Sequence, residues 1–169
     1  GLLEKLVQLD KKGQQVLLLG VSFALLDLSK QNWFNDFKGF GNLIVMETGG
    51  MKGRKREMVR EELHGILTDR FKTTNIHSEY GMTELLSQAY SKGKGKFKCP
   101  PWMQVSIRDI NDPFSNAGYG QVGGINIIDL ANIYSCPFIA TDDLGRTFED
   151  GTFEVLGRID QSDVRGCSQ

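Results

Sequence analysis

Ile76-His77-Ser78-Glu79-Tyr80-Gly81-Met82-Thr83-Glu84-Leu85-Leu86 is the stretch on which the fold turns. Its first four residues read as a strand, Gly81 as a turn, and the residues beyond as a helix with a hydroxyl and a carboxylate in its first turn. Leu85, Leu86, Ala89 and Tyr90 give that predicted helix an inward face at i, i+4 spacing. Side chains at such a junction project from the carboxyl edge of a sheet, where α/β proteins bind ligands. Thr83 offers a donor to an anion, with help from the free N–H groups of a helix start. Glu84 beside a phosphate makes sense only with a cation between them, so the pair suggests a magnesium nucleotide. The same two residues also serve as caps of an ordinary helix, and that reading stays open.

Outward from this stretch, strand and helix alternate. Leu2, Leu3, Leu6 and Val7 mark a short helix that stops before Gly13. Val16 to Leu19 is an apolar run of strand length, read as a strand buried on both faces. A second helix is expected over Ser22 to Ser29, and Trp33, Phe34, Phe37 and Phe40 then read as core cover or a ligand wall. Leu43 to Met46 predicts a buried strand ending in Glu47-Thr48-Gly49-Gly50. Val59, Leu63, Ile66, Leu67 and Phe71 recur at helical spacing and predict a long amphipathic helix from about Lys55 to Phe71. Alternation of this kind predicts a layered parallel α/β unit.

Past Tyr90 the pattern changes. Ser91 to Lys98 is a basic, glycine-rich segment, read as a flexible loop that is either solvated or phosphate-facing. Val105 to Ile110, Gly123 to Leu130, Phe138 to Thr141 and Thr152 to Ile159 read as strands. Asn111-Asp112-Pro113, Asn116-Ala117-Gly118 and Asp150-Gly151 read as the turns between them. The expected division is an α/β nucleotide-binding subdomain over residues 1–98, incomplete at its amino end, with a β-rich continuation over 99–169.

Composition narrows the classes. The 169 residues can bury one sizeable core, and 40% hydrophobic content with a net charge of −1 fits a globular protein. That balance gives no electrostatic preference for nucleic acid or acidic membrane. The longest apolar run, Val16 to Leu26, is too short to span a bilayer and is interrupted by Gly20 and Ser22. No basic-then-apolar leader opens the sequence, and the three widely spaced cysteines read as free thiols, so a cytoplasmic protein is expected. The chain opens within a helical pattern, which points to a fragment.

Three further features carry chemistry. Thr48-Gly49-Gly50 follows a strand, where missing side chains let a flat ring or a phosphate approach the backbone; a simple turn is the alternative. It is neither a Walker loop nor G-x-G-x-x-G. Thr141-Asp142-Asp143-Leu144-Gly145-Arg146 reads as a strand end opening a hairpin, where a carboxylate either accepts both hydroxyls of a ribose or organises the turn. Gly157-Arg158-Ile159-Asp160 supplies a fixed cation, for a developing anion or merely for the surface.

In this order, Tyr80-Gly81-Met82-Thr83-Glu84, Thr141 to Arg146 and Gly157 to Asp160 resemble the adenylate-forming superfamily of acyl-activating enzymes. The likeness runs from Val16 onward and is strongest to LuxE-type acyl-protein synthetases, whose ends are similar to Val164-Arg165-Gly166-Cys167-Ser168. The resemblance implies ATP and Mg²⁺ as cofactors, a fatty acyl substrate, and a protein partner of the acyl-coenzyme A reductase type. It implies that Thr83 contacts the α-phosphate and Glu84 holds the metal. Tyr80 and Gly81 lie against adenine and the acyl carboxylate, and Thr48, Gly49 and Gly50 belong to the adenine wall. Asp143 holds the ribose, and Arg158 reaches ribose or phosphate. Cys167 occupies the position of the acyl acceptor, with an inert tail residue as the alternative.

The sequence departs from the pattern in three ways. The family's Ser/Thr/Gly-rich phosphate loop is not among these residues. Asp142 stands where most members have Gly. The separate carboxyl-terminal domain with its adenylation lysine is missing, as expected of the LuxE type. A phenylacetate-type coenzyme A ligase fragment fits the central motif too, and a non-catalytic nucleotide-binding or scaffold domain is the bland alternative.

Overall fold

The computed structural model describes residues 1–32, 38–49 and 58–159. They form two compact units. The first comprises Gly1–Gly81 with Tyr90–Gly95, and the second comprises Met82–Ala89 with the residues from Lys96 onward.

The first unit is layered α/β. Its elements are α1 (Leu2–Lys11), β1 (Val16–Val21), α2 (Ser22–Ser29), β2 (Leu43–Thr48), α3 (Arg60–Phe71) and β3 (Ile76–Tyr80). Strands β1, β2 and β3 are parallel neighbours, with Val16 beside Leu43 and Val45 beside Ile76. Tyr90 and Ser91 of the short β4 (Ala89–Ser91) follow β3 in strand order. Leu25, Leu26, Leu43, Val45, Leu63, Leu67 and Phe71 are buried together between sheet and helices. Each such apolar side chain, fully buried, contributes about 1.5–3 kcal/mol relative to leaving it exposed. Glu61 and Glu62 in the first turn of α3 and Arg70 in its last turn complement the helix dipole. Lys72, in the left-handed conformation at φ +51°, ends that helix.

Two expectations for this unit need correction, and a third for the stretch that follows β3. Strand β1 is not buried on both faces: Leu17 and Leu19 are 55% and 52% exposed, while Val16 and Leu18 pack on the core. The strand alternates because, among the described residues, helices cover only one of its faces. Helix α3 begins at Arg60, and Val59 is its extended N-cap residue, largely exposed and off the inward face. The predicted turns from Lys55 to Glu57, and Trp33, Phe34 and Phe37 with them, lie outside the described residues. Phe40 is buried in the core as expected.

The third correction concerns the opening stretch. No helix follows Gly81; residues 81–88 form turns and extended backbone leading into β4. Leu85 and Ala89 are buried, but Leu86 is 65% and Tyr90 44% exposed, so the i, i+4 face does not form. The N–H groups that would begin a helix ladder are held instead by the carboxylate of Asp129, described below.

The second unit is antiparallel, in the order β5-β9-β8-β7-β6. Its strands are β5 (Lys96–Lys98), β6 (Met103–Arg108), β7 (Gly123–Asp129), β8 (Phe138–Thr147) and β9 (Thr152–Arg158), with a 3-10 turn at Leu130–Asn132. Phe97 and Phe153 stack at 5.5 Å, and Ile107, Ile125 and Ile127 are buried. Asp109 and Asp112 accept backbone N–H groups in the Asn111-Asp112-Pro113 turn, and Asp150 caps the turn at Gly151. The basic segment is more ordered than expected. Residues 89–91 and 96–98 are strands, and Ser91 Oγ accepts the Gly93 N–H in the tight turn that follows β4.

Candidate functional site

The first unit brings Thr48, Gly49, Tyr80 and Gly81 to the carboxyl ends of parallel strands, the ligand-binding edge of α/β sheets. Thr48 is in register with Glu79, and its Oγ1 donates to Glu79 Oε1 at 3.0 Å. Tyr90 also hydrogen-bonds Glu79; partial burial, and then that carboxylate, hold the Tyr90 phenol above its ordinary value. Glu79 on the central strand therefore links β2 and β4 across β3. Gly49 turns away at φ +67°, a conformation that suits a residue without Cβ. Tyr80 is buried and Gly81 exposed, while Gly50 lies outside the described residues.

Beneath this edge lies a polar cluster that sequence reasoning missed. Glu47 is 5% exposed. Ser22 Oγ sits 2.9 Å from Glu47 Oε2 and 2.7 Å from the Gly49 carbonyl oxygen, so one hydroxyl proton is shared between two acceptors. Arg60 Nε and His64 Nε2 each lie 3.5 Å from Glu47 Oε1, and His64 Nε2 is 3.1 Å from Ser78 Oγ. Burial works against the charge on Glu47. Hydrogen bonds from His64, Ser78 and Ser22, with Arg60 nearby, outweigh it and hold the carboxyl below its ordinary value. The cluster anchors the Gly49 turn to α2 and α3.

Thr83 and Glu84 belong to the second unit, on an exposed turn in which Leu85 N–H donates to the Met82 carbonyl at 3.1 Å. The helix N-terminus expected to assist Thr83 is not there. Instead Asp129 accepts the N–H groups of Leu86 and Ser87 at 3.0 and 2.9 Å, and the Ser87 hydroxyl at 2.7 Å. Asn132 Nδ2 donates to the Glu84 carbonyl at 2.8 Å. Neither Asp129 nor Asn132 stands out in the sequence, because each acts on a segment more than forty positions away.

Asp143 and Arg158 are directly opposed on β8 and β9. Arg158 Nε lies 3.8 Å from Asp143 Oδ1, and its Nη2 lies 3.7 Å from Asp142 Oδ2. The Arg158 side chain is 76% exposed, which leaves it open to a ligand anion. The expectation that Asp143 ends a strand is corrected: β8 runs on to Thr147, with a register shift between Leu144 and Gly145. Gly145 permits this, since a Cβ there would come within 2.4 Å of the Glu154 carbonyl oxygen. Thr141 fixes the approach, accepting the Asp143 N–H and donating to the Ile125 carbonyl.

Cys167 lies outside the described residues. Of the other thiols, Cys136 is exposed, and burial pushes Cys99 up to about 11. Among the described residues no group of three or more His, Cys, Asp or Glu side chains is arranged to hold a metal ion. A cavity of about 410 Å³ in the second unit is lined by residues including Met103, Val105, Ile107, Tyr119 and Phe153, and touches none of the predicted site residues. No helix among the described residues is long and apolar enough to cross a membrane.

The fold recurs in solved enzymes. MatB from Rhodopseudomonas palustris, in an ATP-bound structure, matches 92% of this chain over 33% of its own, with TM-score 0.64 and 17% identity. A luciferase-like enzyme from the mealworm Zophobas morio matches 93% of the chain over 40% of its own, with TM-score 0.62 and 18% identity. The amide bond synthetase McbA from Marinactinospora thermotolerans matches 92% over 34%, with TM-score 0.61 and 15% identity. The chain thus spans 33–40% of the length of these structures. A parallel α/β unit and an antiparallel β-rich unit of this kind make it an adenylate-forming enzyme fold. Within that class the chain belongs to the LuxE acyl-protein synthetase family, whose model matches residues 2–169. Among curated proteins, none matches the sequence.

Proposed function

We propose that the full-length protein activates a fatty, long-chain acyl carboxylate with ATP and passes the acyl group to a cysteine thiol and from there to a reductase partner. The family match over residues 2–169 carries this reading. The opposed Asp143 and Arg158 support it, because together they offer acceptors to ribose hydroxyls and a cation to a phosphate.

In the first step a carboxylate oxygen attacks the α-phosphorus of ATP, the bond to the bridging oxygen breaks, and pyrophosphate leaves with the electron pair. The product is the mixed anhydride acyl-AMP. A carboxylate and a phosphate oxygen meeting at about 4 Å repel by about 4 kcal/mol at an effective dielectric near 20. Positive charge is therefore required; in this reading the exposed Arg158 supplies part of it, and the Thr83 hydroxyl adds a hydrogen bond to the phosphate. We assign Thr48, Gly49 and Gly50 to the adenine, Tyr80 and Gly81 to the adenine and the acyl carboxylate, and Asp143 to the ribose. Mg²⁺ binds most nucleotide sites through one or two carboxylates, water and the phosphates themselves. The exposed Glu84 side chain fits that donor set. The metal would supply neutralisation of the phosphate charge. In the second step a thiolate, assigned to Cys167, attacks the acyl carbonyl, AMP departs, and a thioester remains.

The 169 residues alone are proposed not to catalyse this, because the family's phosphate loop is not among them. Full-length protein should exchange labelled pyrophosphate into ATP when given a fatty acid, and Glu84→Gln should reduce that exchange at least a hundredfold. Wild-type exchange by Glu84→Gln at saturating Mg²⁺ would remove Glu84 from the site. Labelled fatty acid with ATP and coenzyme A should label the protein. Label appearing on coenzyme A instead would favour the coenzyme A ligase reading.

A further inference from the structure

We propose that Asp129 and Asn132 are positioning residues for adenylation: from the corner made by the end of β7 and the 3-10 turn after it, they set the backbone on which Thr83 and Glu84 stand. The inference rests on the reading that Thr83 and Glu84 act on the nucleotide.

Asp129 ends β7 and is fully buried. Among the described residues it has no cationic partner. It accepts four hydrogen bonds from neutral donors: Leu86 N–H at 3.0 Å, Ser87 N–H at 2.9 Å, Ser87 Oγ at 2.7 Å and Ala131 N–H at 3.1 Å. An isolated buried carboxylate is costly, and an apolar residue of similar volume often stabilises a fold as well. What an apolar residue lacks is the capacity to take two consecutive backbone N–H groups. Those donors are the ones a helix beginning near Thr83 would use, so the carboxylate selects the turn over the helix.

Asn132, two residues past the 3-10 turn's first position, grips the same segment from its other side. Its Nδ2 donates to the Glu84 carbonyl at 2.8 Å and to the Cys136 carbonyl at 3.0 Å. Trp102 Nε1 donates to Ser87 Oγ at 2.9 Å, which orients the Ser87 hydroxyl proton toward Asp129. The carbonyl of Glu84 and the N–H groups of Leu86 and Ser87 are thereby fixed. The side chains of Thr83 and Glu84 remain exposed and make no hydrogen bond or ion pair with another described residue. A rigid backbone presenting free functional groups is what a preorganised ligand contact requires. Burial opposes ionisation of Asp129, but the donors of Ser87, Leu86 and Ala131 outweigh it and hold the carboxyl below its ordinary value.

The test uses the full-length protein, pyrophosphate exchange as a function of Mg²⁺, and thermal unfolding. Asp129→Asn keeps the volume but turns an amide N–H₂ toward backbone donors. Asn132→Ala releases the Glu84 carbonyl. In each, kcat for exchange should fall, on the order of ten- to hundredfold, and the Mg²⁺ concentration for half-maximal exchange should rise, while KM for the fatty acid stays unchanged. A role in stability alone would lower the unfolding temperature and leave kcat and the Mg²⁺ midpoint of folded protein at wild-type values; that result overturns the inference. If Asp129→Asn does not fold, Asn132→Ala and Trp102→Phe decide by the same readouts. Glu84→Gln run in parallel separates the two levels. Exchange lost in Glu84→Gln but intact in the corner variants refutes positioning alone, whereas exchange intact in Glu84→Gln refutes the functional reading beneath it.

Discussion

Glu47 shows how a buried charge beside the candidate site is kept ionised. Its carboxyl is held below the ordinary 4.5 by donors from α2, α3 and β3, against the opposing effect of burial. A carboxyl lowered in the folded state binds fewer protons there than when unfolded. Its contribution to stability is therefore complete above 4.5 and is lost as pH falls through the lowered value. Thermal unfolding followed from pH 7 downward should show the wild type losing stability as pH falls through 4.5 and below, and Glu47→Gln should show a flatter profile there. Glu47→Ala removes an acceptor from Ser22, Arg60 and His64 and should cost about 2–3 kcal/mol at neutral pH by chemical denaturation, the value kept low because Arg60 and His64 are partly solvated. The sequence announced Asp143 and Arg158, since both sit in short motifs. It concealed Glu47, Asp129 and Asn132. Their partners lie on other elements, and no local pattern records a hydrogen bond that closes only in three dimensions.

At the scale of elements, apolar runs and periodicity located the helices α1 and α2 and the strands other than β4 and β5, because each is set by burial of its own side chains. They failed where backbone hydrogen bonds are satisfied by a remote side chain. Leu85, Leu86, Ala89 and Tyr90 have helical spacing, yet Asp129 takes the N–H groups and the segment stays non-helical. The sequence predicts too short a β8 for a related reason. Asp142-Asp143-Leu144-Gly145 has turn composition, but Gly145 is used for close strand approach and not for reversal. Gly145→Ala should therefore force β8 away from β9, with a Cβ pressed against the Glu154 carbonyl and Ile125. Overpacking of this kind costs about 1–3 kcal/mol. The variant should unfold at lower denaturant and, in the full-length protein, show a raised KM for ATP, because Asp143 and Arg158 lose their alignment. An unchanged denaturation midpoint would mean that the strands have room that the close contacts deny.

For the whole molecule, the proposed chemistry needs a thiol that is both ionisable and within the chain. A free thiol near 8.5 is a few per cent thiolate at neutral pH. Cys99, pushed up to about 11 by burial, is on the order of one part in ten thousand thiolate at that pH and is a poor acceptor. Cys136 is exposed and is the competitor among the described cysteines. The two half-reactions can be separated in the full-length protein by following exchange and stable acylation together. Cys167→Ser should keep wild-type pyrophosphate exchange and lose the hydroxylamine-labile acyl label, because activation precedes transfer and does not need the thiol. Cys136→Ser should retain both. If label persists on Cys167→Ser and disappears only on Cys136→Ser, the acceptor is the exposed thiol of the second unit. Loss of exchange in Cys167→Ser would mean instead that the residue contributes to the first step, and transfer to that thiol would have to be abandoned as its role.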